Sequence, residues 1–140
     1  MRKALAAALC LVLLAASGTA LAEKTVTLTF VGDCTLGGED WLINREGSFH
    51  DYARKEGYTY FFEKMRDFFS EDDLTIINFE GVLKDDSRDA VNKTYCFRGP
   101  TDFARILPLS SIEAVNLDNN HTLDYGNRGK TSTVVALTGA

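Results

Sequence analysis

The sequence predicts an α/β fold built on a parallel βαβαβ unit, and three observations predict it. Three short apolar runs rich in β-prone residues recur along the chain, two stretches of helical character lie between them, and each run ends in a polar group. Strands alternating with helical segments make parallel sheets. In such sheets ligands bind in the crevice outside the carboxyl ends of the strands.

The 140 residues are 45% hydrophobic and 25% charged, the balance of a single folded domain rather than a disordered chain. A formal net charge of −5 argues against nucleic acid or an anionic lipid surface as a partner. Residues Met1–Ala22 have the three parts of a secretory signal. Arg2 and Lys3 are followed by an apolar run from Ala4 to Ala16 and by the small residues of Ala20-Leu21-Ala22. Cleavage is expected after Ala22, giving a secreted or extracytoplasmic chain from Glu23. The alternative is a membrane anchor formed by an uncleaved leader, although its strongly apolar part is shorter than the ~20 residues that span a bilayer.

The first strand is read over Lys24–Val31, where threonines alternate with Val26, Leu28 and Phe30. GDCTLGG follows, a stretch whose glycines mark a tight turn or a close backbone approach, and Asp33 stands at the strand's carboxyl end. Glu39–Gly57 reads as a polar loop with at most a helical turn. Within it, His50 is expected to be a solvated side chain without a role, and Trp41 is assigned none. Tyr60–Phe69 places Phe61, Phe62, Met65, Phe68 and Phe69 on one stripe of a helix. Leu74–Phe79, LTIINF, is a continuous apolar run of the kind that forms a strand buried on both faces, with Asn78 near its end and Glu80-Gly81 directly after it.

Lys84–Asn92 reads as a charged surface loop and Lys93–Phe97 as a short extended piece. Pro100, Thr101 and Asp102 open a helix expected to end near Leu107, before Pro108. The third strand is read over Ile112–Leu117, and it delivers Asp118, Asn119, Asn120, His121 and Asp124. A last helix is expected over Ser132–Leu137 with Thr131 as its cap. Cys34 and Cys96 are open to two readings in an oxidising compartment, one disulfide or two free thiols. Cys34 as a metal ligand is a third.

Consecutive parallel strands with right-handed crossovers bring their carboxyl ends to one edge of the sheet. Asp33, Glu80 and the Asn120-His121 pair are therefore expected to converge on one cleft. Their oxygens suit hard or borderline divalent metals, a bound metal would polarise an acyl or phosphoryl oxygen, and His121 would protonate a leaving group.

These residues also carry a family resemblance. GDCTLGG, NFEG at Asn78–Gly81, YCFRGP at Tyr95–Pro100 and above all NNHTLDYG at Asn119–Gly126 resemble the CapA family of capsule-synthesis proteins, associated with poly-γ-glutamate, within the calcineurin-like metallophosphoesterase superfamily. The resemblance covers nearly all of the chain after Ala22. It implies a metallophosphoesterase-like layered αββα sandwich whose strand ends hold divalent metal ions, two of them in a complete domain. Asp33, Glu80 and Asn120 then match metal ligands, and His121 matches the catalytic acid. Asn78, Asn119, Asp124 and Gly126 belong to the same motifs. The superfamily's later histidine motifs have no counterpart after His121, so the resemblance is to the amino-terminal portion of such a domain, 23–140. It also implies work beside the capsule or poly-γ-glutamate synthesis machinery, by a metal-dependent hydrolase or by a non-catalytic assembly or export component that binds polymer or a partner; the remaining alternative is a nonfunctional truncated fragment.

Overall fold

The computed structural model describes residues 23–140; the expected leader and its cleavage site lie outside them. No helix among the described residues is long and apolar enough to cross a membrane. Five strands and three helices follow in the order β1 (Leu28–Cys34), α1 (Phe49–Glu56), α2 (Arg66–Ser70), β2 (Leu74–Phe79), β3 (Val82–Leu83), β4 (Arg98–Gly99), β5 (Ala114–Asn116) and α3 (Gly126–Thr138). Four short 3-10 turns, at Asp40–Leu42, Tyr58–Phe62, Thr101–Ile106 and Pro108–Ser110, fill the connections.

The three expected strands form one all-parallel sheet in the order β1-β2-β5. Phe30 stands opposite Ile76 and Ile76 opposite Ala114; one step on, Val31, Ile77 and Val115 align. A register shift between Val31 and Asp33 extends β1 past Gly32, so Asp33 pairs with Asn78 inside the ladder rather than following it. Side chains alternate across a sheet, and β2 obeys that rule. Thr75, Ile77 and Phe79 are buried, while Leu74, Ile76 and Asn78 are half-buried. The buried face packs on Phe69, Phe103, Ala104, Ile106, Leu107 and Ile112. The opposite face is open in this chain: Phe30 is 71% exposed, and Val26 and Leu28 are exposed beside it. A run such as LTIINF predicts cover on both faces, and here one face has it.

Three local expectations are corrected. The aromatic stripe over Tyr60–Phe69 is not one helix but a 3-10 turn followed by the five-residue α2, so Phe69 enters the core while Met65 and Phe68 stay exposed. The polar stretch after Glu39 contains a true helix, α1, because Ser48 caps it by accepting from the Asp51 N–H at 3.1 Å. His50 is accordingly turned inward, 7% exposed, against the Phe103 ring. The last helix begins at Gly126, not after Thr131, and runs thirteen residues. It is held by tertiary packing rather than by propensity: Gly129 lies against Val82 and Tyr125, and the Thr133 hydroxyl accepts from the Leu83 N–H at 2.8 Å.

The glycines of GDCTLGG and FRGP have one explanation. Gly38 and Arg98 form an antiparallel bridge, and the two backbones cross so closely that a Cβ on Gly99 would stand 2.1 Å from the Leu36 carbonyl oxygen, and one on Gly37 2.3 Å from that of Arg98. The obstacle is backbone on both sides and cannot rotate away. Gly99→Ala is therefore expected to cost about 3 kcal/mol or to prevent folding, whereas Gly32→Ala, with nothing within 4 Å of the new methyl, should stay within about 0.5 kcal/mol. Urea titration of both variants separates the two outcomes.

Burial, and then the positive charges of Arg98 and Arg54, hold the His50 imidazole below its ordinary range. A depressed pKa means that the fold favours the neutral ring. The associated stability is present above the unfolded value of about 6.5 and is lost as pH falls through the lower folded value. His50→Phe should lessen the fall in melting temperature on acidification from about pH 6.5, measured by circular dichroism in parallel with the parent chain.

Candidate functional site

The carboxyl ends of β1, β2 and β5 are joined by a run of carboxamides. Asn78, at the centre, donates to Asp33 Oδ1 at 2.6 Å, and its own Oδ1 accepts from Asn116 Nδ2 at 2.8 Å and Asn119 Nδ2 at 3.1 Å. Asn119 also donates to the Phe79 carbonyl at 2.8 Å and accepts from the His121 N–H at 2.9 Å. One side chain from each strand, plus the first residue of the Asn-Asn-His run, thus fixes where the loop after β5 leaves the sheet. The Thr122 hydroxyl closes that loop on the Leu117 carbonyl.

The loop presents His121 to two carboxylates. Nδ1 lies 2.7 Å from Asp124 Oδ2, and Nε2 lies 3.2 Å from Glu80 Oε1, directly after β2. The ring is 6% exposed and stacks on Phe97, with centroids 4.4 Å apart and planes 22° from parallel. Asp124 is 1% exposed. Its Oδ2 also accepts from the Phe97 N–H at 2.7 Å, and its Oδ1 accepts from Lys93 Nζ at 2.8 Å. The Lys93 ammonium further reaches the Asn120 carbonyl at 2.7 Å and lies 3.3 Å from His121 Nδ1. Glu80, His121, Asp124 and Lys93 form one continuous polar chain.

A second polar network stands beside it. Arg98, 8% exposed, donates to Asp40 and to the Lys84 carbonyl, and the buried Tyr125 hydroxyl donates to the same Asp40 at 2.9 Å. Burial, followed by the Asp40 contact, pushes the Tyr125 hydroxyl well above its usual range, so it stays a donor. Lys84 is also buried and pairs with Asp86.

The structure thus brings Glu80, His121 and Asp124 together and places Asp33, Asn78 and Asn119 in the adjoining carboxamide run. The Asn120 side chain joins neither group. It is exposed, and its contribution is the backbone carbonyl held by Lys93. Gly126 opens α3 at φ +60°. Cys34 and Cys96 are free thiols. Burial and the neighbouring Asp33 raise Cys34, and burial and then Asp124 raise Cys96. Lys93, Phe97 and Asn116 join the site without having been expected there. For Phe97 the signal was present in part, since YCFRGP is one of the motifs that carry the resemblance.

As a metal centre the donor set is incomplete. The chemistry is right for a hard divalent ion, but among the described residues no group of three or more His, Cys, Asp or Glu side chains is gathered to hold one. His121 Nε2 faces Glu80 and Asp33 is tied to Asn78, so a metal here would need further donors.

The fold is a parallel α/β sheet with an Asp, a Glu and an Asn-Asn-His loop gathered at its strand ends. The family described as bacterial capsule synthesis protein PGA_cap matches residues 27–140, and the chain belongs to that family. It is also similar to a probable polyglutamine synthesis accessory protein of Mycobacterium tuberculosis, in strains CDC 1551 / Oshkosh and ATCC 25618 / H37Rv. The identity is 38% over 68 residues, which is 49% of this chain and 18% of each relative.

Asp124 is expected to be the residue on which the loop depends. Asp124→Asn leaves Lys93 without its counter-charge and His121 without its carboxylate partner, and should cost about 3–5 kcal/mol. Adding Lys93→Met should cost much less than the sum of the two single changes, because the same contact is removed twice. A double-mutant cycle by chemical denaturation reads both.

Proposed function

We propose that this chain serves the synthesis of a glutamate-polymer capsule outside the cytoplasm, as an exported protein whose strand-end cluster performs a hydrolase-like step on a phosphoester or a γ-glutamyl amide. Family membership and the relatives' printed role support the setting. The observation that supports chemistry is the buried Asp124–His121 pair at 2.7 Å, with Glu80 on the other ring nitrogen. A buried carboxylate on Nδ1 fixes the orientation of the imidazole and leaves Nε2 as the position that exchanges a proton with a reacting group. For that, Glu80 must release Nε2 when substrate enters. Asp33, the Asn120 carboxamide and Glu80 are the residues that would hold a divalent ion at this edge, each through an oxygen. Such an ion, completed by donors beyond these, supplies Lewis acidity when bound.

The open face of the sheet supports the layered αββα reading. Phe30, Leu28, Leu74 and Ile76 make an apolar surface of the kind that a second sheet packs against at a spacing of about 10 Å.

A second reading is a non-catalytic component of the synthesis machinery. It is favoured by the word accessory in the relatives' name and by the closure of His121 between two carboxylates. His121→Gln and Asp33→Asn in the full chain, produced in polymer-forming cells, separate the two. Polymer lost while circular dichroism shows the variants folded is the result expected for chemistry; unchanged polymer supports the binding role. Calorimetry with manganese or zinc is expected to show binding to the parent chain that Asp33→Ala with Asn120→Ala weakens by about tenfold or more. No binding by the folded parent overturns the metal component.

A further inference from the structure

The connection from β3 to β4 is fixed at both ends and loose between them. The Asp85 carboxylate accepts from the Thr101 N–H at 2.8 Å, the Phe97 carbonyl accepts from the Val82 N–H at 3.1 Å, and Arg98 Nη1 donates to the Lys84 carbonyl at 2.7 Å. Between these points Ser87–Tyr95 is exposed at every residue and contains neither helix nor strand. Its large apolar side chains, Val91 and Tyr95, are 40% and 58% exposed, so neither is seated in the core. A surface loop of this length whose ends are held together is an Ω-loop.

Three of its residues make the polar contacts that join Ser87–Tyr95 to described residues beyond the connection. Arg128 comes within 3.7 Å of Asp89, the Val91 N–H donates to the Asp124 carbonyl at 2.9 Å, and Lys93 Nζ donates to Asp124 Oδ1 at 2.8 Å and to the Asn120 carbonyl at 2.7 Å. Lys93 therefore lies over a carboxylate that is 1% exposed. The other neighbours of that carboxylate, the Phe97 N–H and His121 Nδ1, both at 2.7 Å, lie outside Ser87–Tyr95. The stretch can leave while Asp124 keeps them. Segments with so few buried contacts open at a lower free energy than the whole fold, and the charge-assisted Lys93 contact keeps the closed form dominant.

We infer that Ser87–Tyr95 is a lid over Asp124, latched by Lys93 and Val91 and hinged at Asp86 and Cys96, which opens without unfolding the sheet. Closed, it keeps water from the carboxylate that contacts His121; open, it admits water and solutes to that side of the pair. The lid rests on the chemistry proposed above for its purpose alone. Its test reads opening and not activity, so either can fail while the other stands.

The experiment uses the full chain in urea below its unfolding midpoint. Carbodiimide coupling of glycine ethyl ester to Asp124, followed by mass spectrometry of peptides, should proceed at a rate that urea leaves unchanged, and the Val91 N–H should exchange through the same urea-independent opening. The Ile77 N–H in the buried part of β2 should instead exchange faster as urea rises. Lys93→Met should speed Asp124 coupling and Val91 exchange by a common factor of about ten to a hundred, as loss of a hydrogen bond to a charged group does. Arg128→Ala, which removes an exposed pair, should change both by less than about fivefold. Three results would overturn the lid: Asp124 coupling that rises with urea in step with Ile77 exchange, coupling as fast as at the exposed aspartates, or a Lys93→Met effect on Val91 exchange with none on Asp124. If Lys93→Met does not fold, the urea dependence of the parent decides.

Discussion

The buried carboxylate of Asp124 is the interaction on which the rest of the site depends. Taking an ion of this size out of water costs several kcal/mol even after relaxation, and 1% exposure leaves no solvent to offset it. The compensation comes from three donors on two segments: Lys93 Nζ, the Phe97 N–H and His121 Nδ1. Because Lys93 and Phe97 belong to one strip of chain and His121 to another, Asp124 is satisfied only when the strip 91–97 lies against the loop 119–124. The Val91 N–H to Asp124 carbonyl bond at 2.9 Å reinforces the same contact. The geometry of His121 is a by-product of solving the problem posed by Asp124.

That dependence explains which parts of the molecule could be read in the sequence. The sheet was legible because each strand announces itself locally: LTIINF spans the same residues as β2, and the alternation before Asp33 and the apolar run before Asn116 locate β1 and β5 to within a few residues. Helices were less so. α1 depends on a single serine cap inside a polar stretch, and α3 gains its first turn from Gly129 seating against Val82, a contact between residues far apart in sequence. The aromatic stripe at Tyr60–Phe69 has a helical period but little reason to be continuous, since only Phe69 is fully buried while Phe61 and Phe62 pack at the core's margin and Met65 and Phe68 stay exposed.

The site shows the same division. Asp33, Glu80 and the Asn-Asn-His run could be placed at one edge from topology alone, since parallel strands share an end. Which asparagine faces inward could not. Asn119 and Asn120 are adjacent and chemically identical, and only the turn made by Leu117, Asn119 and Thr122 decides that Asn119 joins the carboxamide run. Lys93 stands in a stretch of charged and polar residues with no periodicity to distinguish it, and its partner lies 31 residues away. His50 was misread for the complementary reason. A polar neighbourhood in sequence says nothing about a helix face turned inward by its cap.

The two polar networks are coupled through the short piece Phe97–Gly99. Phe97 gives its ring to His121, its N–H to Asp124 and its carbonyl to Val82; Arg98 gives its side chain to Asp40 and its backbone to Gly38; the Gly99 carbonyl accepts from Lys84. The lateral position of this piece is set by the backbone crossing at Gly37 and Gly99, where no Cβ fits. The glycines therefore do more than permit turns. They set how near the Phe97 ring comes to the sheet edge, and through it the tilt of His121 relative to Glu80. A bulkier residue at the crossing would displace the strip, separate Asp124 from two of its three donors and release the imidazole, although none of the crossing residues touches the ring. The spacing of GDCTLGG, FRGP and NNHTLDYG along the chain is thus the sequence trace of one mechanical assembly, in which backbone contact at one point fixes the placement of a charged group at another.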